Sequence, residues 1–178
     1  MFIRPAIAAT ALLIAVALAG CSSAPEAQTL AQTKSPTQLL RNEASTRIPP
    51  GSIGAISGEE DHSVACKSSD EDPDELYRSW QSSLLASIAA DSAWRVEQLT
   101  TDITDSFIED GWYVSGAKDG KDKTVLTRPG AVSTMAFTVT AGAEDGSGAS
   151  IHIDATGPCV LTAGPTSNEV TGLEKKKS

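Results

Sequence analysis

Residues 135–155 run Met135-Ala136-Phe137-Thr138-Val139-Thr140-Ala141-Gly142-Ala143-Glu144-Asp145-Gly146-Ser147-Gly148-Ala149-Ser150-Ile151-His152-Ile153-Asp154-Ala155. Met135, Phe137 and Val139 alternate with Ala136, Thr138 and Thr140. Further on, Ala149, Ile151, Ile153 and Ala155 alternate with Ser150, His152 and Asp154. Successive side chains of an extended chain point to opposite faces, so each run has one apolar and one polar face, as a half-buried strand requires. Between them Glu144-Asp145-Gly146-Ser147-Gly148 is a turn of the hairpin kind. The stretch therefore predicts an antiparallel pair with one face in the core and His152 on the other.

Working outward, Val125 and Leu126 begin a further short strand, bounded by Asp119-Gly120-Lys121-Asp122 and by Pro129-Gly130. Upstream, Val96, Leu99, Ile103 and Phe107 recur at helical spacing, with Glu97, Asp102, Asp105 and Glu109 largely off that stripe. Asp91 or Ser92 can cap this helix, and Gly111 can stop it, since glycine enters the left-handed region without penalty. Trp112-Tyr113-Val114 then opens a strand. Residues 77–89 admit two periods. Leu76, Trp80, Leu84 and Ile88 step by four, yet Trp80, Leu84, Ala86 and Ile88 also alternate with Gln81, Ser83 and Ser87. Serine is a weak helix former, so the strand is favoured. The sum is an α+β domain over residues 55–165, with one helix packed on an antiparallel sheet of about four strands.

The N-terminus has a different character. Arg4 precedes the apolar run Ala11-Leu12-Leu13-Ile14-Ala15-Val16-Ala17-Leu18, a secretory signal too short to be a membrane span. Leu18-Ala19-Gly20-Cys21 resembles the lipobox of bacterial lipoproteins. The resemblance implies a signal peptide over residues 1–20 and a lipid on the sulfur of Cys21. The anchor is then a cell membrane, contacted from its extracytoplasmic face. Residues 21–54, rich in Ser, Thr, Ala, Gln and Pro, read as a flexible tether with a reach of roughly 30 Å. Within it Ser35-Pro36-Thr37-Gln38 permits a short helix, ended by Pro49-Pro50. Residues 51–74 read as an irregular lead-in, and residues 166–178 as a polar tail.

With Cys21 taken by lipid, Cys66 and Cys159 are the remaining cysteines. An even pair in an exported chain predicts a disulfide. The formal charge of −9 argues against nucleic acid, whose phosphates need clustered Lys and Arg. The one basic run, Lys175-Lys176-Lys177, reads as a solvated tail. The elements Cys66, Arg78-Ser79-Trp80, Gly111-Trp112 and Gly157-Pro158-Cys159-Val160 resemble small lipoproteins of actinobacteria, a group with no agreed activity. That likeness implies location and fold, not chemistry.

No constellation specifies a reaction, a catalytic residue, a cofactor or a metal. Asp70-Glu71-Asp72-Pro73-Asp74 begins like a calcium loop, but Glu75 stands where glycine should turn the chain and Gln81 where a bidentate Glu should sit. Ser115-Gly116-Ala117-Lys118 has the Ser-x-x-Lys spacing of penicillin-binding enzymes without their partner motifs. His62 and His152 lie near Cys66 and Cys159 in sequence at spacings unlike those of zinc ligands. Two readings follow. The first is a non-enzymatic envelope module that binds a protein, glycan or lipid. The second is a small hydrolase using His152 with Asp154 or a nearby serine.

Overall fold

A computed structural model describes residues 28–89, 95–116, 123–128, 134–140 and 148–175. Residues 1–20, Cys21 and the turns at 119–122 and 144–147 lie outside them; Asp91 and Ser92 do too, but the helix expected to be capped there begins only at Val96, with Arg95 as its cap and no side-chain capping hydrogen bond. The described chain is α+β. Its seven-stranded antiparallel sheet has the order β1-β2-β6-β5-β4-β3, with β7 also paired to β2. The strands are β1 (Ile53–Ala65), β2 (Tyr77–Ile88), β3 (Tyr113–Gly116), β4 (Lys123–Thr127), β5 (Thr134–Thr140), β6 (Ser150–Thr156) and β7 (Val160–Leu161). The helices are α1 (Leu30–Thr46), α2 (Val96–Glu109) and α3 (Asn168–Lys175). Among the described residues, no helix is long and apolar enough to cross a membrane.

β5 and β6 pair antiparallel as expected, with Phe137 opposite Ile153 and Thr138 opposite His152. Ile151, Ile153 and Ala155 are buried while His152, Asp154 and Thr156 are only partly covered, Asp154 the more so of the first two. Residues 77–88 resolve as strand. Pairing with β1 on one side and β6 on the other satisfies the ladder along both edges. Trp80, Ser82, Leu84, Ala86 and Ile88 are all buried, a period of two, while Ser79 and Ser83 of the opposite phase are buried as well because neighbouring strands flank β2 on both sides. In α2, Leu99, Ile103 and Phe107 are buried, and Gly111 follows with φ +84°.

Three sequence expectations are corrected. Residues 30–46, assigned to the flexible tether, form α1, with Leu30, Leu40 and Ala44 in the core and Ile48 just beyond its end. It starts at a capping box between Thr29 and Gln32, not at Ser35, and runs through Pro36. Pro36 removes one N–H and costs roughly 3 kcal/mol. Burial of the apolar positions on either side of it offsets that cost. Thr33 and Thr37 are also fully buried; their hydroxyls donate to Leu30 O (2.8 Å) and Thr33 O (2.7 Å), so no donor is orphaned. Residues 53–65, read as an irregular lead-in, form the edge strand β1. Bulges between Ile53 and Ala55 and between Ser57 and Glu60 interrupt it, with Gly58 at φ +60°. Residues 168–175, placed in the polar tail, form α3, whose Val170 joins Leu30, Trp80 and Val160 in a second apolar cluster.

Arg47 clips α1 to α2. Its guanidinium pairs with Glu43 and Asp110, donates to Ser106 Oγ (2.9 Å) and lies 3.7 Å over the Phe107 ring. At the other end α1 touches the sheet through Gly157, whose N–H donates to Trp80 O (2.8 Å). A Cβ at residue 157 would sit 2.9 Å from Thr37 Oγ1 and 3.3 Å from Thr33 Cβ. Gly157→Ala will therefore push α1 off the sheet and destabilise by about 1–3 kcal/mol, as over-packing does. The urea midpoint measures this. The cost should shrink in a Thr37→Ala background, which removes the nearest atom; an unchanged cost would place the strain elsewhere.

Candidate functional site

Cys66, Cys159 and His152 are the candidate site residues that fall within the described chain. Cys66 and Cys159 are bonded to one another, with Cα atoms 5.8 Å apart across a sequence separation of 93. Cys66 extends the β1–β2 ladder by donating from its N–H to Tyr77 O (3.1 Å), and Cys159 immediately precedes β7. The bridge thus joins the two strands that pair with the start of β2. Neither sulfur is free to act as a thiolate, so the histidine–cysteine metal set has lost two of its ligands. His62 is opposite Gln81, and His152 is opposite Leu85, four residues farther along β2 and across another strand. Strand geometry holds the two rings well over 10 Å apart.

His152 and Asp154 do meet. Two residues apart on β6, they share the face that the helices leave uncovered, and Nδ1 of His152 lies 3.0 Å from Asp154 Oδ2. Gln81 Nε2 donates to the other carboxylate oxygen (3.3 Å) from the neighbouring strand. Asp154 is mostly covered and His152 about two-fifths exposed (13% against 39%), so the carboxylate orients the ring and leaves Nε2 toward solvent. That arrangement can accept a proton or hold a hydrogen-bonding ligand. Hydrolysis needs a nucleophile as well. Ser83 faces Asp154 across the ladder but is 4% exposed, and no described serine hydroxyl bonds to the ring. Gln81 was missed in the sequence because it sits 73 residues from Asp154. Only the strand register brings them together.

The other motifs resolve into structure. Asp72 is buried and accepts from Tyr77 N–H (2.6 Å), while Glu71 accepts from the Ser68 hydroxyl (2.9 Å), so this acidic loop is folded by its own carboxylates. Among the described residues, no group of three or more His, Cys, Asp or Glu is placed to hold a metal ion. Ser115 is exposed on β3 and donates to Val125 O (3.4 Å); Lys118 lies outside the described residues. Trp80 and Trp112 are core residues, Trp112 edge-on to Phe107 with centroids 5.6 Å apart, and Trp94 lies outside the described residues.

One further concavity was not foreseen. A shallow groove of about 280 Å³ between α2 and β4 is lined by Glu97, Thr100, Thr101, Thr104, Asp105 and Thr124. Its signal was present as a polar stripe at helical spacing, Glu97, Thr101 and Asp105, opposite the apolar one. Hydroxyls and carboxylates suit a polar ligand, and no lining residue offers an aromatic stacking surface.

The fold and these surfaces define a disulfide-closed α+β domain with helices on one sheet face and a polar opposite face. No family model, no curated protein and no solved structure matches the chain.

Proposed function

We propose that this chain is a bacterial lipoprotein, held by lipid on Cys21 at the outer face of a cell membrane. Its domain serves there as a non-enzymatic module that binds an envelope protein, glycan or lipid. The observation that carries the reading is Leu18-Ala19-Gly20-Cys21 at the end of an uncharged apolar run. The Cys66–Cys159 disulfide and the likeness to actinobacterial lipoproteins agree with an exported location. Two or more acyl chains on one cysteine hold a protein stably at a bilayer, where a single chain does so marginally. Cys21→Ala will abolish lipid attachment and leave an uncleaved precursor near the 18.4 kDa chain mass. Intact mass measurement of the native protein is the test, and an unmodified Cys21 sinks the anchor.

The His152–Asp154 contact favours the second reading, a small envelope hydrolase, as far as it supplies an oriented base. Labelling of the purified protein by a serine-reactive phosphonate, lost on His152→Ala, would establish that reading over the binding module.

A further inference from the structure

The groove between α2 and β4 has neither a basic nor an aromatic residue in its lining. Glu97, Thr101 and Asp105 follow one another along its exposed side at successive helical turns. Thr100 (8% exposed) and half-buried Thr104 form a second row, which half-buried Thr124 faces from β4. A helical threonine commonly returns its hydroxyl to a carbonyl one turn back, as Thr101 does to Glu97 O (2.9 Å). Thr104 does not. Its hydroxyl and that of Thr124 have no hydrogen-bond partner among the described residues, although both line the groove. The Glu97 and Asp105 carboxylates have no ion pair among the described residues either. Asp102, by contrast, accepts from Gln98 Nε2 (2.8 Å) and is not part of the lining.

The helical rise sets Glu97 and Asp105 about 12 Å apart along the axis of α2. A single cation cannot reach both, and among the described residues no three metal-ligating side chains converge. An anion would find no counter-charge. The lining suits a chain with a cation at each end, a donor between them and hydrocarbon to lie on the threonine methyls. We infer that this groove binds a linear polyamine of spermidine length. Nine bonds separate the terminal nitrogens of spermidine, roughly 11 Å when extended at ordinary bond lengths. Its end ammoniums meet Glu97 and Asp105, and its central one donates to the free hydroxyls of Thr104 and Thr124. Exposed Arg95, at the cap of α2, and the positive end of the helix dipole oppose the ammonium at Glu97. Asp105 is therefore the stronger anchor. The site lies wholly within the folded domain and is independent of lipid on Cys21.

Calorimetric titration of the purified full chain with spermidine, in neutral detergent at physiological ionic strength, is the test. It should show one submillimolar site per chain. An exposed ion pair changes affinity by up to about fivefold, so Asp105→Asn should weaken binding by about that factor and Glu97→Gln by less. Thr104→Val, which keeps the shape and removes the hydroxyl, should also weaken it, by roughly threefold. Asp102→Asn takes the same charge from the same helix outside the groove and should change little. Putrescine, whose ends are roughly 6 Å apart, reaches one carboxylate only and should bind about fivefold more weakly than spermidine. Magnesium at equal concentration should not displace spermidine. Equal losses from Asp102→Asn and Asp105→Asn, or displacement by magnesium, would show attraction to an acidic chain as a whole and overturn the site. Absence of spermidine binding at millimolar concentration would overturn it too. Tighter binding of tri-lysine with the same dependence on Asp105 and Thr104 would assign the groove to a basic polypeptide and overturn the polyamine.

Discussion

A chain that begins at residue 55 will not unfold cooperatively, although the apolar periodicities visible in the sequence lie downstream of that point. Removing α1 takes Leu30, Leu40, Ala44 and Ile48 out of the core; Leu30 and Ala44 are wholly buried and Ile48 nearly so. Truncating one large buried aliphatic costs about 2–5 kcal/mol, so losing three of them with the helix costs on the order of 10 kcal/mol. A domain of this size has roughly 5–15 kcal/mol in total. The loss also uncovers Trp80, Leu84 and Ala86 on β2 and removes Arg41, whose guanidinium reaches Asp61 (3.4 Å) and Ser83 O (3.5 Å). Urea unfolding followed by near-ultraviolet circular dichroism should be sigmoidal for a chain starting at residue 28 and featureless for one starting at residue 55. A sigmoidal transition in the shorter chain would show that the sheet and α2 suffice.

Opening the Cys66–Cys159 bridge should lower the unfolding free energy by about 4–5 kcal/mol in the chain-entropy model, because the unfolded chain regains the freedom of a loop of 93 residues. For a domain of this size that corresponds to a fall of roughly 10–20 °C in melting temperature. The native side of the equilibrium changes less, since the β1–β2 and β2–β7 pairings remain. Cys66→Ser, Cys159→Ser and the double variant should therefore lose nearly the same amount, each removing the same single bond. Reductant should reproduce the loss in the wild-type protein, and chelator should leave it unmoved. Stability that falls with chelator and ignores reductant would instead point to metal held by thiolates.

The candidate site was legible in part for a local reason. His152 and Asp154 are two residues apart, and strand alternation alone puts them on one face. Their third partner, Gln81, and the β4 contribution to the α2 groove depend on which strands become neighbours. No short-range pattern encodes that. Similarly, the disulfide followed from counting cysteines, while its position at the start of β2 required the β1 and β7 pairings.

What the sequence determined by itself are the elements whose buried face is marked by apolar residues at a single period: the Leu99, Ile103, Phe107 stripe of α2, and the alternation of Ile151, Ile153 and Ala155 in β6. In these, local period and final environment coincide, so hydropathy reports the fold. The α+β class and the antiparallel sheet followed from them. Only the tertiary structure decided α1, β1 and α3. In α1, half of the six buried positions are Thr33, Thr37 and Arg41, so hydropathy does not mark the face; the two threonine hydroxyls are satisfied by carbonyls of the helix itself, while the Arg41 contacts to Asp61 and Ser83 O exist only once the helix is packed. Along β1, residues 54–60 are exposed on both faces, so no alternation is selected, and pairing with β2 alone makes the segment a strand. In α3, eight residues are too few to be helical unaided, and docking of Val170 and Leu173 beside Leu30 and Trp80 supplies what its own length cannot.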